Sequence, residues 1–239
     1  MAASAEICVD VWGDFAMFTR PDSKIERMTY NIPTPSACRG VLNAIYSKPK
    51  EFYYEITQID IMKPIRTIPV RKNEVQMAAD ASKAKDPSYF IDTSEYRTQR
   101  MNTYLRDVYY RIHAKIIMQD NTDPRINIAS LKDQFERRVS KGKCFFQPAL
   151  GTRECMCYFS EPDMTMQPIP ESADFGIMLY DVFDITKDNS EKTLDTRKKS
   201  LNLCTCVSFF HAEMNNGIVK IPEWDSDEIY IKKGDAAHV

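Results

Sequence analysis

Tyr46 and a set of recurring cations are the residues with chemistry to offer. The stretch VWGDFAMFTRPDSKIERMTYNIPTPSACRGVLNAIYSKP, residues 11–49, carries Arg20, Lys24 and Arg27 in one loop, Arg39 on a predicted helix and Tyr46 where that helix stops. A phenol can hold or pass a proton, and guanidinium and ammonium groups stabilise phosphate charge. Tyrosine ionises near pH 10, so it needs cationic neighbours to act as a base at neutral pH; otherwise it positions a hydroxyl or donates a hydrogen bond. The fold is expected to bring Tyr46 near the basic loop, around a cavity where a polyanion could lie. Taken alone, a tyrosine closing a helix is more often a packing residue. Further cations recur at Arg66, Arg71 and Lys72, and at Arg137, Arg138, Lys141 and Lys143. Arg153 follows Gly151, which lets backbone approach a phosphate closely. Phe18, Tyr30 and Tyr46 lie among these cations and suit either stacking on unpaired bases or a core.

The elements that must position these groups read as follows. Ile7 to Trp12 is a short apolar strand. Thr34 is a good helix N-cap and Pro35 fits the first turn, where its missing N–H costs nothing. Cys38, Val41, Leu42 and Ile45 then give one apolar helix face, and Ser47-Lys48-Pro49 stops the helix. Phe52, Tyr54 and Ile56 alternate as in a strand, and the segment from Pro64 to Lys72 reads as a projecting hairpin. Residues 76–103 are polar and weakly periodic, a flexible or helical insertion. Leu105 to Met118 is a long strand with Tyr109, Arg111, His113 and Lys115 on its polar face. Asn127 to Lys141 is a second helix with Ile128, Leu131, Phe135 and Val139 as its stripe, capped by Gly142. Gly151 to Ser160 is a further strand.

Strand, helix, strand, strand, helix, strand over residues 1–160 is an α+β, ferredoxin-like plan shared with RNA-recognition domains (RRM-like), here with a protruding hairpin. Residues 161–239 read as a separate small C-terminal antiparallel β-sheet. Its strands are Gly176 to Ile185 and Leu203 to Ile221, the latter folded at Asn215-Asn216-Gly217. The charged loop Lys187–Lys199 lies between them, and a frayed tail follows Lys232.

Composition narrows the function classes. No apolar run approaches membrane-spanning length, and the start MAASAEICVDVWGD has no signal-peptide pattern, so a cytoplasmic protein is expected. Seven cysteines in 239 residues do not make the dense framework of a small secreted domain. Cys155/Cys157 and Cys204/Cys206 are spaced for alternating strand positions rather than for a metal, so no metal site is expected. The net charge of −2 argues against a polyanion partner, but residues 1–160 hold 24 Lys+Arg against 19 Asp+Glu, and the remainder 8 against 15. The first part is therefore the nucleic-acid surface, and the acidic part suits protein contacts.

Residues 11–49, with IMKPIRTIPVRKNEV (61–75), TQRMNTYLRDVYYRIHA (98–114) and GKCFFQPALGTREC (142–155), resemble the CRISPR-associated Cascade subunit of the fifth family in its type I-C form, within the RAMP superfamily. A weaker echo follows in FFHAEMNNGIVKIP (209–222). The resemblance implies an endoribonuclease that cuts CRISPR repeat pre-crRNA without a cofactor and stays on the 5′ handle of the crRNA. The 2′-OH attacks the neighbouring phosphate and the 5′-oxygen leaves. It also implies the backbone and large subunits of the Cascade as partners, with possible target DNA contact.

Tyr46 matches the family's catalytic tyrosine. The family's adjacent Lys-His pair, ahead of the FxRR segment, falls on Ser130-Leu131, with Lys132 as the nearest substitute. Of three histidines, only His113, between Arg111 and Lys115 on its strand face, is placed to serve as general acid. A strand-surface role is the commoner one for such a residue. Two alternatives stand beside the nuclease: a non-catalytic 5′-handle cap, because of Ser130-Leu131, and a protein-bridging scaffold, against which the basic loops speak.

Overall fold

Alternation of buried and exposed residues builds a central strand pair, β1 (Ser4–Ala16) and β4 (Arg97–Met118). Val9 and Val11 of β1 face Ile112 and Tyr110 of β4, and all four are buried on one side of the sheet. Between them in the chain come α1 (Pro35–Ile45), β2 (Phe52–Ile61) and β3 (Thr67–Val75). After β4 follow α2 (Ile128–Ser140), β5 (Tyr158–Ser160), β6 (Ala173–Phe183), β7 (Leu194–Asp195), β8 (Ser200–Leu201), β9 (Thr205–Asn215), β10 (Ile218–Lys220) and β11 (Tyr230–Lys232). This computed structural model describes residues 3–232 except 24, 84, 120–121, 124, 187–193, 196–199 and 202–204. Lys24, Cys204, His238 and most of the Lys187–Lys199 loop are therefore outside the described residues. No described helix is long and apolar enough to cross a membrane.

The molecule is mixed α/β, with two α-helices on a nine-stranded sheet in the order β11-β9-β10-β2-β4-β1-β5. β3 pairs β4, β6 pairs β9, and every ladder among the described strands is antiparallel. The expected separate C-terminal sheet is corrected here. β10 hydrogen-bonds along β2 through Ile218–Lys220 opposite Gln58–Asp60, so the late strands extend the early sheet. The hairpin that delivers β10 turns at Asn216 and Gly217, at φ 50° and 76°, where Asn and Gly are the tolerant residues. Ile61 N–H then donates to Gly217 O at 2.7 Å. Beyond β10 the sheet curls, and β6 packs against α1.

Thr34 caps α1, its hydroxyl accepting from Ala37 N–H at 3.2 Å, and Asn127 caps α2 by accepting from Ala129 N–H at 3.0 Å. The apolar stripes of both helices enter one core, in which Phe135 meets Tyr54 edge-on at 6.0 Å. Three expected elements differ. β4 starts at Arg97, so the last part of the expected 76–103 insertion is strand and forms a long arm with β3. The strand expected from Gly151 shrinks to β5, because residues 149–157 bend back on themselves, Leu150 N–H donating to Cys155 O. Gly151 sits there at φ 88°, and a Cβ on it would lie 1.9 Å from Met17 O. Within β4, Asp107 takes φ 51°, redirecting the strand from the sheet into the arm.

Candidate RNA-cleaving site

The C-terminal ends of α1 and α2 converge, and Tyr46 lies at the crossing. Four carbonyls at a helix end lack helical partners and carry negative potential, which favours cations. Arg138 on α2 meets that need: its Nε–H donates to Ile45 O at 2.7 Å, and its guanidinium lies 5.9 Å from the Tyr46 ring centre. Tyr54 Oη–H donates to Tyr46 O at 2.7 Å. The Tyr46 ring is itself buried, packed on Phe52 at 5.4 Å and beside Phe145 at 6.4 Å. Lys48, exposed on the following turn, pairs with Glu51 at 2.9 Å.

The electrostatics of this phenol are decided by a competition. Burial raises its pKa and is the largest influence; Lys48 and Arg138 pull it down, and Glu51 pushes it up. The sum stays above the ordinary value, so Tyr46 is a neutral hydroxyl at pH 7, a donor rather than a ready base. The cations that sequence reasoning required are present, yet they do not overcome burial.

The expected nearness of Tyr46 to the first basic loop does not hold. Tyr46 packs on Phe52, which is paired with Met118 at one end of β4, whereas β1 leaves the sheet at Ala16, opposite Leu105. Those 13 strand positions span roughly 40 Å. Arg20 and Arg27 stand at the far end, with Arg27 N–H donating to Asn102 Oδ1 on the arm. Arg66, Arg71, Lys72 and Arg153 belong to the same end: Arg71 is opposite Met101, and Lys72 pairs with Glu154 at 2.5 Å. Arg137, Arg138, Lys141 and Lys143 lie on or just after the end of α2, on the Tyr46 side. The cations read from the sequence in three separate regions therefore form two basic surfaces.

Several expected site residues are used elsewhere. Arg39 makes an ion pair with Asp181, which is 1% exposed, and so ties α1 to β6. His113 rises from the sheet face opposite Tyr46: its neighbours in sequence, Ile112 and Ala114, point into the helix-side core. There Nε2 lies 2.9 Å from Asp60 Oδ2, and that bond, with Cys8 next, raises the imidazole pKa to about 9. The ring is thus a cation in an ion pair and does not reach the phenol. Leu131 is buried in the core, and the Ser130 hydroxyl donates to Asn127 O. Lys132 sits on α2 about 9 Å along the axis from Arg138, beside Glu136 at 3.7 Å. Exposed His211 sits between Asp174 and Glu213 on the β6–β9 surface. Cys155 and Cys157 are buried, and burial holds the Cys157 thiol up at about 12.

Sequence reasoning missed Phe145 and Phe146, which are 56% and 62% exposed on the loop after α2. Arg20 does stand over the Tyr30 ring at 5.6 Å, but Phe18 and Tyr46 are core. The signal for the missed pair was two adjacent phenylalanines just after Lys141 and Lys143, with no helical or strand period to bury them.

A family model described as CRISPR-associated protein (Cas_Cas5), Cas5d form, matches residues 6–222. A CRISPR pre-crRNA endoribonuclease Cas5d of Thermus thermophilus is 34% identical over 229 residues, covering 95% of each chain. Its counterpart in Mannheimia succiniciproducens is 33% identical over 237 residues, covering 93% of this chain and 97% of that one. A solved crystal structure of a CRISPR-associated protein superposes with a TM-score of 0.64 at 21% identity, over 96% of this chain and 99% of that one. The chain belongs to the Cas5d family of CRISPR-associated proteins.

Proposed function

We propose that this protein is an endoribonuclease that cuts CRISPR repeat pre-crRNA and then stays bound to the 5′ handle of the crRNA in a type I-C Cascade. The observation that carries the proposal is the Tyr46 hydroxyl, kept neutral by burial although Lys48 and Arg138 stand beside it, where two helix ends meet. In the reaction the ribose 2′-oxygen bonds to phosphorus and the P–O5′ bond breaks, leaving a 2′,3′-cyclic phosphate and a 5′-hydroxyl. Arg138 and Lys48 stabilise the charge that grows on the phosphorane oxygens. Tyr46 Oη–H donates to the departing O5′, while water takes the 2′-OH proton. This replaces the Lys-His pair by electrostatics and one donor, with Lys132 and His113 outside the set.

The strand set β5-β1-β4-β2, with α1 and α2 crossing one face, supports the reading of residues 1–160 as ferredoxin-like. Arg20, Arg27, Arg66, Arg71 and Arg153 would bind the RNA away from the cut, and Arg137, Lys141 and Lys143 beside it. Residues 161–239 would face the other Cascade subunits. The second reading, a 5′-handle cap that does not cut, draws support from buried Leu131 and from Ser130, whose hydroxyl is tied to Asn127 O.

Incubation of the protein in EDTA with its cognate repeat RNA, beside a copy with a 2′-deoxy scissile nucleotide, tests the proposal. Cutting of the RNA alone, with a cyclic-phosphate end, is expected. Tight binding without cutting would overturn the nuclease and leave the cap.

A further inference from the structure

Exposed phenylalanine is poor surface, and here two are adjacent in the chain, the first of them beside the phenol. Phe145 is held in place. Its backbone N–H donates to Ala44 O at 2.8 Å, the Arg138 guanidinium lies 4.2 Å from its ring centre, and the Tyr46 ring lies nearly parallel to it, at 25°. Arg138 is fixed in turn by Ile45 O. Exposed Arg137, Lys141 and Lys143 lie in the last turn of α2 and at the start of the loop that carries Phe145. An aromatic face fixed among cations is how proteins hold single-stranded nucleic acid, the cations following the backbone and the ring taking a base.

We propose that Phe145 is a stacking platform for one unpaired nucleobase of the bound RNA, adjacent to the phosphate addressed by Arg138 and Tyr46. The inference rests on the RNA-cutting reading and adds to it a base subsite. Stacking accepts any base, so the platform fixes where the ribose lies rather than which sequence is chosen. Holding the flanking base restrains the sugar whose 2′-oxygen must come in line with P–O5′. A ring that served only to cover Arg138 would be indifferent to the RNA.

The test uses the full chain and cognate repeat RNAs in which a single abasic nucleotide is walked through the unpaired positions near the cut. Wild type is expected to bind about tenfold more weakly at one of these positions. Phe145→Leu, which keeps apolar cover over Arg138, should bind intact RNA about tenfold more weakly and lose nothing further at that position. Phe145→Trp should restore both behaviours. Wild type tolerating every abasic position, or losses that simply multiply in Phe145→Leu, would overturn the platform while leaving RNA cutting intact. Failure of wild type to bind repeat RNA at all would overturn the RNA reading and the platform together.

Discussion

At the crossing of the two helix ends, burial raises the Tyr46 pKa more than Lys48 and Arg138 lower it. The hydroxyl therefore stays protonated across the neutral range, and the rate between pH 6 and 9 should not follow its ionisation. Tyr46→Phe removes only that proton and oxygen, so cleavage should fall about 10²- to 10⁴-fold while RNA affinity stays within about twofold. Single-turnover cleavage beside filter binding checks both. Arg138 has two tasks, one structural and one chemical. Arg138→Ala should cost about 1 kcal/mol in denaturant unfolding, from the lost bond to Ile45 O, and about 10²-fold in cleavage. Arg138→Lys keeps the charge without the planar fork and should fall between.

Secondary elements carry their own consequences. The ion pair of His113 with Asp60 joins β4 to β2, and its effect on stability has a definite sign. The folded pKa, about 9, lies above the unfolded value near 6.5, so the contribution is complete below about pH 6.5 and fades as pH rises through 9. The ring is about one-third exposed, and solvent screening reduces the effect to about 1–2 kcal/mol. His113→Gln should therefore be destabilised relative to wild type at pH 6 and nearly equal to it at pH 10, as read from urea midpoints. Asp107, left-handed at the bend of β4, gives a backbone test. Asp107→Val should cost about 1–2 kcal/mol, because a β-branched residue resists that conformation, whereas Asp107→Gly should cost little. Thermal melts of the two variants would separate. Helix α1 was legible because Thr34, Pro35 and the apolar spacing are local signals. Strand β10 was legible as a strand but its partner was not, since alternation says which residues share a face and not which edge they join.

Across the whole molecule, the two basic surfaces lie at opposite ends of β4. Chain neighbours were misleading here: Arg27 and Tyr46 are 19 residues apart, but α1 alone carries the chain about 16 Å toward the other end. The platform at Phe145 stayed hidden for a different reason, since phenylalanine in a family-like block reads as core until its exposure is seen. The far surface should act on affinity alone. Arg66→Ala, Arg71→Ala and Arg153→Ala together should weaken RNA binding and flatten the log–log salt dependence by up to about 2–3. Cleavage at saturating RNA should stay within about twofold, as single-turnover rates over a salt series would show.

The pairing of β10 with β2 also bears on how the chain is made. About 160 residues separate these partners, and translation at about 5–20 per second takes roughly 8–30 s to supply them. Throughout that interval β2 is an open edge on the nascent chain, with its hydrogen-bonding groups available to any other strand nearby. Whether freshly synthesised protein reaches its folded form is decided in that wait, before any RNA or partner subunit has been met.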